Sequence, residues 1–352
     1  MTPIDVAALH AEQQAVEHAA PILTVRDLKV HFPMPKRHLF QAHRDLLKAV
    51  DGISFDLRPG ETLGIVGESG CGKSTLGRGV LQLIPPTDGQ VIWMGQDISG
   101  HGPRKMRQHR RDLQIIFQDP LASLDPRMTI GDIIAEPLDT HFPELTKDQR
   151  TDKVRAMMAR VGLMPEMINR YPHEFSGGQC QRIGVARAMI LEPKLIVCDE
   201  PVSALDVSIQ SQIINLLMRL QREFGLALIF ISHDLSVVRH ISHRIMVLYL
   251  GRLVELADRD RLYTDPRHPY TQALISAVPL PDPDRERAKQ RIVLTGDLPS
   301  PLNPPSGCTF RTRCPRATEL CAQEVPPMAD VKPDGHHRAA CHYWQDTGTG
   351  PA

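Results

Sequence analysis

The sequence predicts an α/β fold in which helices cover a parallel or mixed β-sheet. From Ile22 onward, short apolar runs rich in Val and Ile alternate with longer segments whose apolar residues recur at helical spacing, as in sheets that helices cover. A glycine-rich loop at Gly67–Ser74 joins one apolar run to one helical segment. Proline supplies the third observation, because 14 of the 30 prolines lie after residue 260 and mark off a C-terminal region.

The strands are predicted from short continuous apolar runs, which are typical of buried strands. They are Leu63–Val66, Leu113–Phe117, Leu195–Cys198, Ala227–Ser232 and Ile245–Leu250. Helical spacing predicts helices over 148–161 and 209–224. The second of these has an apolar stripe formed by Ile213, Ile214, Leu216, Leu217 and Leu220. Residues 1–20 are an alanine-rich segment, which we interpret as a flexible leader.

Composition excludes several classes of protein. The 352 residues carry 41 basic and 41 acidic side chains, and a zero formal charge argues against a protein that coats nucleic acid. The longest apolar stretches, such as Gly225–Ile231, fall far short of the roughly 20 residues that span a bilayer. The first 20 residues lack the basic start and apolar block of a secretory signal. We therefore expect a cytosolic globular protein without a nucleic-acid partner.

The segment Gly67–Ser74 reads GESGCGKS and matches the phosphate-binding loop G-x-x-x-x-G-K-[ST]. It follows a predicted strand and precedes a helical segment, which is the context that this motif requires. Its glycines allow backbone N–H groups to converge on phosphate oxygens at a helix N-terminus. Lys73 is expected to reach the β- and γ-phosphates, and Ser74 to ligate Mg²⁺.

A pair of carboxylates ends another predicted strand, where Asp199 and Glu200 follow the run LIVC. Side chains at the carboxyl end of a strand face the crevice in which α/β proteins bind ligands. Asp199 is expected to hold Mg²⁺, directly or through water. Glu200 is expected to polarise the water that attacks the γ-phosphate.

The phosphate loop and the carboxylate pair indicate only a protein that hydrolyses nucleotides or transfers their phosphates. The segment FSGGQ at 175–179 indicates a more specific function. It places Ser-Gly-Gly at the start of a helical segment, which is a second anion-binding N-terminus. Because the first loop already serves one nucleotide, the second makes sense if it contacts a nucleotide bound by another chain. At this point the sequence resembles the ABC ATPase family, whose signature is LSGGQ. Phe175 replaces the leucine, and the signature residues that remain are Ser176, Gly177, Gly178 and Gln179.

Other motifs of that family occur in order along the chain. The resemblance implies that Gln118 in IFQDP is the Q-loop glutamine, that Asp206 in SALD belongs to the D-loop, and that His233 in ISHD is the switch histidine. The implied catalytic residues are Gln118, Glu200 and His233, and the implied Mg²⁺ ligands are Ser74, Gln118 and Asp199. Phe32 resembles the aromatic residue that stacks on adenine. The implied ATP-binding residues are Phe32, Gly67, Ser69, Gly70, Cys71, Gly72, Lys73, Ser74 and Thr75.

The closer resemblance, from about Ile22 to Tyr343, is to ATPase subunits of dipeptide and oligopeptide importers, and among these to the F-type subunits of dipeptide permeases. It is carried by PLASLDPRMTIGDIIAEPL, RHPYTQAL and GDLPSPLNPPSGC. It implies a P-loop ABC ATPase with a RecA-like core, an antiparallel β subdomain, a helical subdomain at about 119–185 and a small Cys-rich C-terminal extension. We expect a leader at 1–20, a nucleotide-binding domain at 21–260 and a regulatory or cluster-binding region at 261–352.

The resemblance also implies the function, which is ATP hydrolysis that powers import of dipeptides or oligopeptides across the bacterial inner membrane from its cytoplasmic face. ATP is then sandwiched between this chain's P-loop and the signature of a second, homologous ATPase. Two transmembrane permease subunits and, indirectly, a substrate-binding protein are the other implied partners. Residues 121–136 are the surface expected to contact the permease. Import of nickel, glutathione or an oligosaccharide, and a soluble ABC ATPase, are the alternatives.

Four cysteines lie in the proline-rich C-terminal region, at Cys308, Cys314, Cys321 and Cys341. In a reducing cytosol such a group favours a metal or cluster over two disulfides. The spacing fits neither a zinc pair of CxxC motifs nor a common ferredoxin run, and so leaves the ligand open. The resemblance to importer ATPases implies a 4Fe–4S cluster, with structural zinc as the second interpretation and four free thiols as the third.

Overall fold

The structure of this chain is a computed structural model that describes residues 19–35, 45–279 and 282–346. The predicted leader at 1–20 lies outside the described residues except for its last two. The described chain forms two compact units. The first contains 19–23, 57–62 and 101–231; the second contains the described residues of 24–56, 63–100 and 232–346.

The elements alternate between strands and helices as the sequence predicts. The strands are β1 (Leu23–Pro33), β2 (Leu46–Leu57), β3 (Thr62–Val66), β4 (Asp88–Trp93), β5 (Gln96–Asp97), β6 (Leu113–Ile116), β7 (Leu195–Asp199), β8 (Ala227–Ile231), β9 (Arg244–Tyr249), β10 (Arg252–Asp258), β11 (Ala329–Asp330) and β12 (His337–Ala339). The helices are α1 (Lys73–Val80), α2 (Pro103–His109), α3 (Ile130–His141), α4 (Lys147–Arg160), α5 (Gly177–Met189), α6 (Val207–Phe224), α7 (Leu235–Ile241), α8 (Arg259–Thr264), α9 (Pro269–Ser276), α10 (Pro283–Ala288) and α11 (Glu319–Gln323). Short 3₁₀ helices lie at Pro165–Asn169 and Pro172–Glu174.

The first unit contains parallel strands in the order β8-β7-β6. Every residue of β7 and β8 is buried. Strands covered on both faces need apolar side chains at successive positions, which is why these strands stand out as continuous apolar runs. The predicted stripe of α6 is buried as well, at Ile213, Ile214, Leu216, Leu217 and Leu220.

The second unit contains one sheet in the order β2-β1-β4-β5 and a further set of strands in the order β11-β12-β10-β9-β3. Strands β3 and β9 are parallel, whereas β9 with β10, β10 with β12 and β11 with β12 are antiparallel. In the β10–β12 pair Glu255 lies opposite Ala339, and Ala257 lies opposite His337. The C-terminal region thus adds strands to the unit that also carries Gly67–Ser74.

The predicted strands are confirmed to within one residue at each end. The helix predicted over 148–161 is α4, and it begins at a capping box in which Thr146 and Gln149 satisfy each other's backbone N–H groups. Across the described ranges, no helix combines the length and the apolar character that crossing a membrane would demand.

Candidate nucleotide-binding and catalytic site

The phosphate-binding loop of the second unit runs from the end of β3 to the start of α1. Gly72 is the N-cap residue of α1 and has φ +102°, a conformation that side chains disfavour. A Cβ at Gly72 would lie 2.0 Å from the Ala49 carbonyl oxygen, and one at Gly67 would lie 2.3 Å from the Leu248 carbonyl oxygen. Glycine is therefore required at both positions by backbone that approaches the loop.

Lys73 is held inside this loop. Its ammonium donates hydrogen bonds to the carbonyl oxygens of Gly67 at 2.8 Å and Glu68 at 3.1 Å, and the residue is only 5% exposed. Ser69 is exposed and Ser74 is half-buried. The loop thus combines the start of a helix with a fixed cation, an arrangement that suits phosphate.

The other residues predicted in this loop differ in how they contribute. The Cys71 side chain is 3% exposed, and burial raises the pKa of its thiol. Only its backbone is therefore available to a ligand. Gly70 is exposed and Thr75 is half-buried on the first turn of α1. Phe32 is half-buried near the end of β1.

The carboxylate pair lies in the first unit, at the end of β7. Asp199 is the last residue of the strand and is 1% exposed. Glu200 follows with φ +47°, which is rare for a residue with a side chain and is typical of functional sites. Gln118 Nε2 donates to Glu200 Oε2 at 3.1 Å. Two residues that are 82 positions apart in the chain are therefore brought together.

The SGGQ segment forms the start of α5 in the same unit. Ser176 is the N-cap, its hydroxyl accepts from the Gln179 backbone N–H, and Gln179 Oε1 accepts from the Ser176 backbone N–H at 3.0 Å. This capping box fixes the helix start. Ser176 and Gly177 are exposed, whereas Gly178 packs so closely against Ile209 that an added Cβ would lie 2.6 Å from its methyl carbon. The signature thus faces solvent on a rigid helix terminus.

Asp206 and His233 occupy the starts of two further helices. Asp206 is exposed at the N-cap of α6 in the first unit. His233 is exposed in the second unit, just before Asp234, whose carboxylate caps α7 by accepting from the Ser236 and Val237 backbone N–H groups.

The cysteine prediction requires a correction. Cys308, Cys314, Cys321 and Cys341 line one cavity of about 20 Å³. Nevertheless, within 19–35, 45–279 and 282–346 no three His, Cys, Asp or Glu side chains are arranged to hold a metal ion, and the cysteines are free. The predicted 4Fe–4S cluster is therefore wrong, and the zinc interpretation meets the same obstacle. The physical reason is that spacing in the sequence does not fix where the thiols lie relative to one another, and the fold does not bring these described side chains into an arrangement that holds a metal ion.

Sequence reasoning missed the surroundings of Glu68, a residue inside the phosphate loop. Its carboxylate forms an ion pair with Arg313, and its backbone N–H donates to the Tyr270 hydroxyl. These partners lie 245 and 202 positions away in the chain. No local spacing marks contacts of this kind, so the sequence offered no signal for them.

Comparison with known proteins shows the family to which the chain is similar. The family model for ABC transporters matches residues 50–203, and the model for the C-terminal region of oligopeptide/dipeptide transporters matches 254–321. The oligopeptide transport ATP-binding protein OppF of Salmonella typhimurium is 61% identical over 314 residues, which cover 89% of this chain and 94% of that protein. The corresponding protein AppF of Bacillus subtilis is 55% identical over 324 residues, which cover 92% of this chain and 97% of that protein.

A solved structure supports the fold. The ATP-binding cassette MJ0796, in a dimeric post-hydrolysis state bound to ADP and Pi, matches with a TM-score of 0.61 and 25% identity, covering 67% of this chain and 98% of that one. Since relatives this similar align over nearly their whole length, the chain belongs to the ABC transporter family and is an ATPase with the P-loop ABC fold.

Proposed function

We propose that this chain is the ATP-hydrolysing subunit of an importer of oligopeptides or dipeptides. The observation that carries the proposal is the 61% identity to an oligopeptide transport protein over 89% of the chain. The match at 254–321 to a region of oligopeptide and dipeptide transporters supports the same cargo. Both observations favour peptides over nickel, glutathione or an oligosaccharide.

The phosphate loop supplies the binding step of this function. In our proposal the backbone of Gly67–Thr75 and the Lys73 ammonium bind the phosphates, and Phe32 contacts the adenine. The deep burial of Lys73 supports this role, because a cation held away from water interacts strongly with an anionic ligand. We assign nucleotide binding and hydrolysis to residues 21–260 and regulation to residues 261–352.

The carboxylate pair and Gln118 supply the chemical step. Ser74, Gln118 and Asp199 offer a hydroxyl, an amide oxygen and a carboxylate, the oxygen donors that Mg²⁺ prefers. With Nε2 of Gln118 bonded to Glu200, its Oε1 is the atom available to the ion. Bound Mg²⁺ neutralises charge on the phosphates. Glu200 orients and deprotonates the attacking water, and His233 contacts the γ-phosphate.

The signature supports a second ATPase as a partner of the chain. Ser176 and Gly177 are exposed at the start of a capped helix, and a helix N-terminus favours an anion that approaches from outside. We propose that Ser176–Gln179 contacts the ATP of a second, homologous ATPase and that Asp206 lies at the same interface. ATP then holds the two chains closed, and loss of the γ-phosphate releases them.

The other proposed partners are two permease subunits in the membrane and a substrate-binding protein. We propose that two transmembrane permease subunits dock on residues 121–136 and that a substrate-binding protein delivers cargo to them, with this chain at the cytoplasmic face of the inner membrane. Leu121 supports the docking surface because its side chain is 56% exposed, and large exposed apolar side chains favour protein contacts.

Affinity capture of the chain from gently solubilised native membranes, followed by mass spectrometry, tests this proposal. We expect two permease subunits and a second ABC ATPase in stoichiometric amounts. A Leu121→Glu variant should lose the permeases and keep the second ATPase, while Val293→Glu, a control at another exposed apolar residue, should retain both. Recovery of a soluble homodimer alone in several detergents would contradict the importer assignment and favour a soluble ABC ATPase.

A further inference from the structure

An ion pair links the C-terminal region to the phosphate loop. Arg313 donates from a terminal guanidinium nitrogen to Glu68 Oε2 at 2.8 Å. The Arg313 side chain is 10% exposed and that of Glu68 is 27% exposed, so the pair is largely withdrawn from water. Removing one member of such a pair leaves an uncompensated charge in a poorly solvated position.

Aromatic side chains hold Arg313 in place. Its guanidinium carbon lies 6.0 Å from the centre of the Tyr249 ring, within the range of a cation–π contact. The Phe310 ring packs against Tyr249 at 5.2 Å and Tyr270 at 5.4 Å between ring centres. All three rings are buried. Arg313 therefore reaches the loop from a buried aromatic cluster in the same unit, which consists of these three rings.

The aromatic cluster makes a further contact with the loop, a hydrogen bond in which the Glu68 backbone N–H donates to the Tyr270 hydroxyl at 2.9 Å. The Glu68 carbonyl oxygen in turn accepts from Lys73 Nζ at 3.1 Å and from the Cys71 backbone N–H at 3.2 Å. The position of Glu68 thus sets the position of the ammonium that binds phosphate.

Charge gives the ion pair a second consequence. Glu68 places a carboxylate within the loop that receives a polyphosphate, where an unpaired negative charge would oppose nucleotide binding. The Arg313 guanidinium neutralises that charge. It can donate two hydrogen bonds to one carboxylate, and it stays protonated at every relevant pH. The loop therefore depends on a residue from the C-terminal region for both its shape and its electrostatic potential.

We propose that Arg313 is a positioning residue for ATP binding: through Glu68 it holds the phosphate loop in shape and neutralises the loop's own carboxylate. This inference rests on the proposed role of the loop in binding ATP. It assigns a task in the nucleotide site to the C-terminal region, which the motifs of the ABC family do not include.

The test measures binding of a fluorescent ATP analogue to the full chain and the KM for ATP of the assembled importer. Arg313→Gln is expected to raise both the Kd and the KM by about tenfold, with kcat at saturating ATP within about threefold of wild type. Arg313→Lys is expected to lose less, because it keeps the charge. Arg311→Gln is the matched control, since the Arg311 guanidinium donates to Ser306 and not to the loop.

The double variant Arg313→Gln with Glu68→Gln separates the proposed role from a general loss of folding. Removing both charges is expected to restore the Kd to within about threefold of wild type. Wild-type affinity in Arg313→Gln, or equal weakness in the single and double variants, would overturn the proposal. If Arg313→Gln does not fold, Arg313→Met and its double variant with Glu68→Gln are compared in the same way, since methionine also removes the charge. Failure of the wild-type chain to bind ATP, or wild-type binding by Lys73→Ala, would instead count against the role of the loop itself.

Discussion

Glu200 carries the chemistry of hydrolysis in the proposed mechanism. Its carboxylate accepts from Gln118 Nε2, its backbone has a positive φ, and its N–H donates to the Ile231 carbonyl oxygen. Glu200→Gln keeps the shape of the side chain and removes the base. We expect ATP hydrolysis to fall by about 10² to 10⁴-fold, the usual contribution of a general base, while ATP binding is retained and the closed pair accumulates.

A phosphate-release assay and a nucleotide-binding assay on the assembled importer measure these two effects. Glu166→Gln, a change at an exposed glutamate of the same unit, should leave both unchanged. Full hydrolysis by an importer that carries the glutamine in both ATPase chains would remove Glu200 from the role of base.

His268 predicts how stability depends on pH. The residue is 1% exposed, burial lowers its pKa to about 4, and its Nδ1 accepts from the Tyr270 backbone N–H at the start of α9. Above pH 6.5 the imidazole is neutral in both folded and unfolded chains. Below that pH the unfolded chain binds the proton first, so the free energy of unfolding falls by roughly 3 kcal/mol between pH 6.5 and 4.

The His268→Asn variant isolates this effect, because asparagine also caps a helix N-terminus but does not titrate. Urea unfolding at several pH values gives the difference in unfolding free energy between the two proteins. That difference should shrink as the pH falls from 6.5 to 4. A difference that is constant over this range would show that His268 is protonated in the folded chain.

At the residue scale, local motifs predicted the phosphate loop, the carboxylate pair and the signature because each is set by a few adjacent residues. The resemblance to a family implied catalytic roles for Gln118 and Glu200, but not the hydrogen bond between them. The ion pair of Glu68 with Arg313 could not be predicted, because it depends on tertiary packing between distant segments. The prediction of a metal cluster at the four C-terminal cysteines was wrong for a related reason: spacing and composition do not determine how the fold arranges the thiols, and their arrangement does not hold a metal ion.

The glycines of two elements lead to opposite predictions. A Cβ at Gly72 would lie 2.0 Å from the Ala49 carbonyl oxygen at a backbone φ of +102°. Gly184 lies inside α5, and among the described residues outside that helix nothing comes within 4 Å of an added Cβ. Gly72→Ala should therefore weaken ATP binding at least about tenfold, whereas Gly184→Ala should raise the free energy of unfolding by about 0.5–1 kcal/mol.

Isothermal titration with ATP and urea unfolding of both variants check these outcomes. Both substitutions replace a hydrogen with a methyl group, so each variant serves as the control for the other. Normal ATP affinity in Gly72→Ala would mean that the loop can move away from Ala49.

The ends of strands could be predicted where the whole strand is buried, because burial requires apolar residues along its length. Strands β7 and β8 are buried along their whole length, so their apolar runs coincide with the strands. Strands β11 and β12 span two and three residues and form only because β12 pairs with β10. Segments this short contain no period that a sequence pattern can reveal.

The chain is an ABC ATPase whose C-terminal region lies within the second unit, where β12 pairs with β10 and Arg313 contacts the phosphate loop. Composition and charge argued against a nucleic-acid-coating protein, and the family resemblance supplied the class of function. Cargo does not follow from these residues by physics alone, because the chain is proposed to deliver ATP energy to other subunits that contact the peptide.

Uptake of a labelled oligopeptide into vesicles that contain the complete importer, with ATP on the side of this chain, tests the proposed function most directly. We predict accumulation with ATP and the wild-type chain, and none with a non-hydrolysable ATP analogue or with Glu200→Gln in both ATPase subunits. Peptide uptake that persists without this chain, or ATP-driven uptake of nickel, glutathione or an oligosaccharide in place of any peptide, would contradict the assignment.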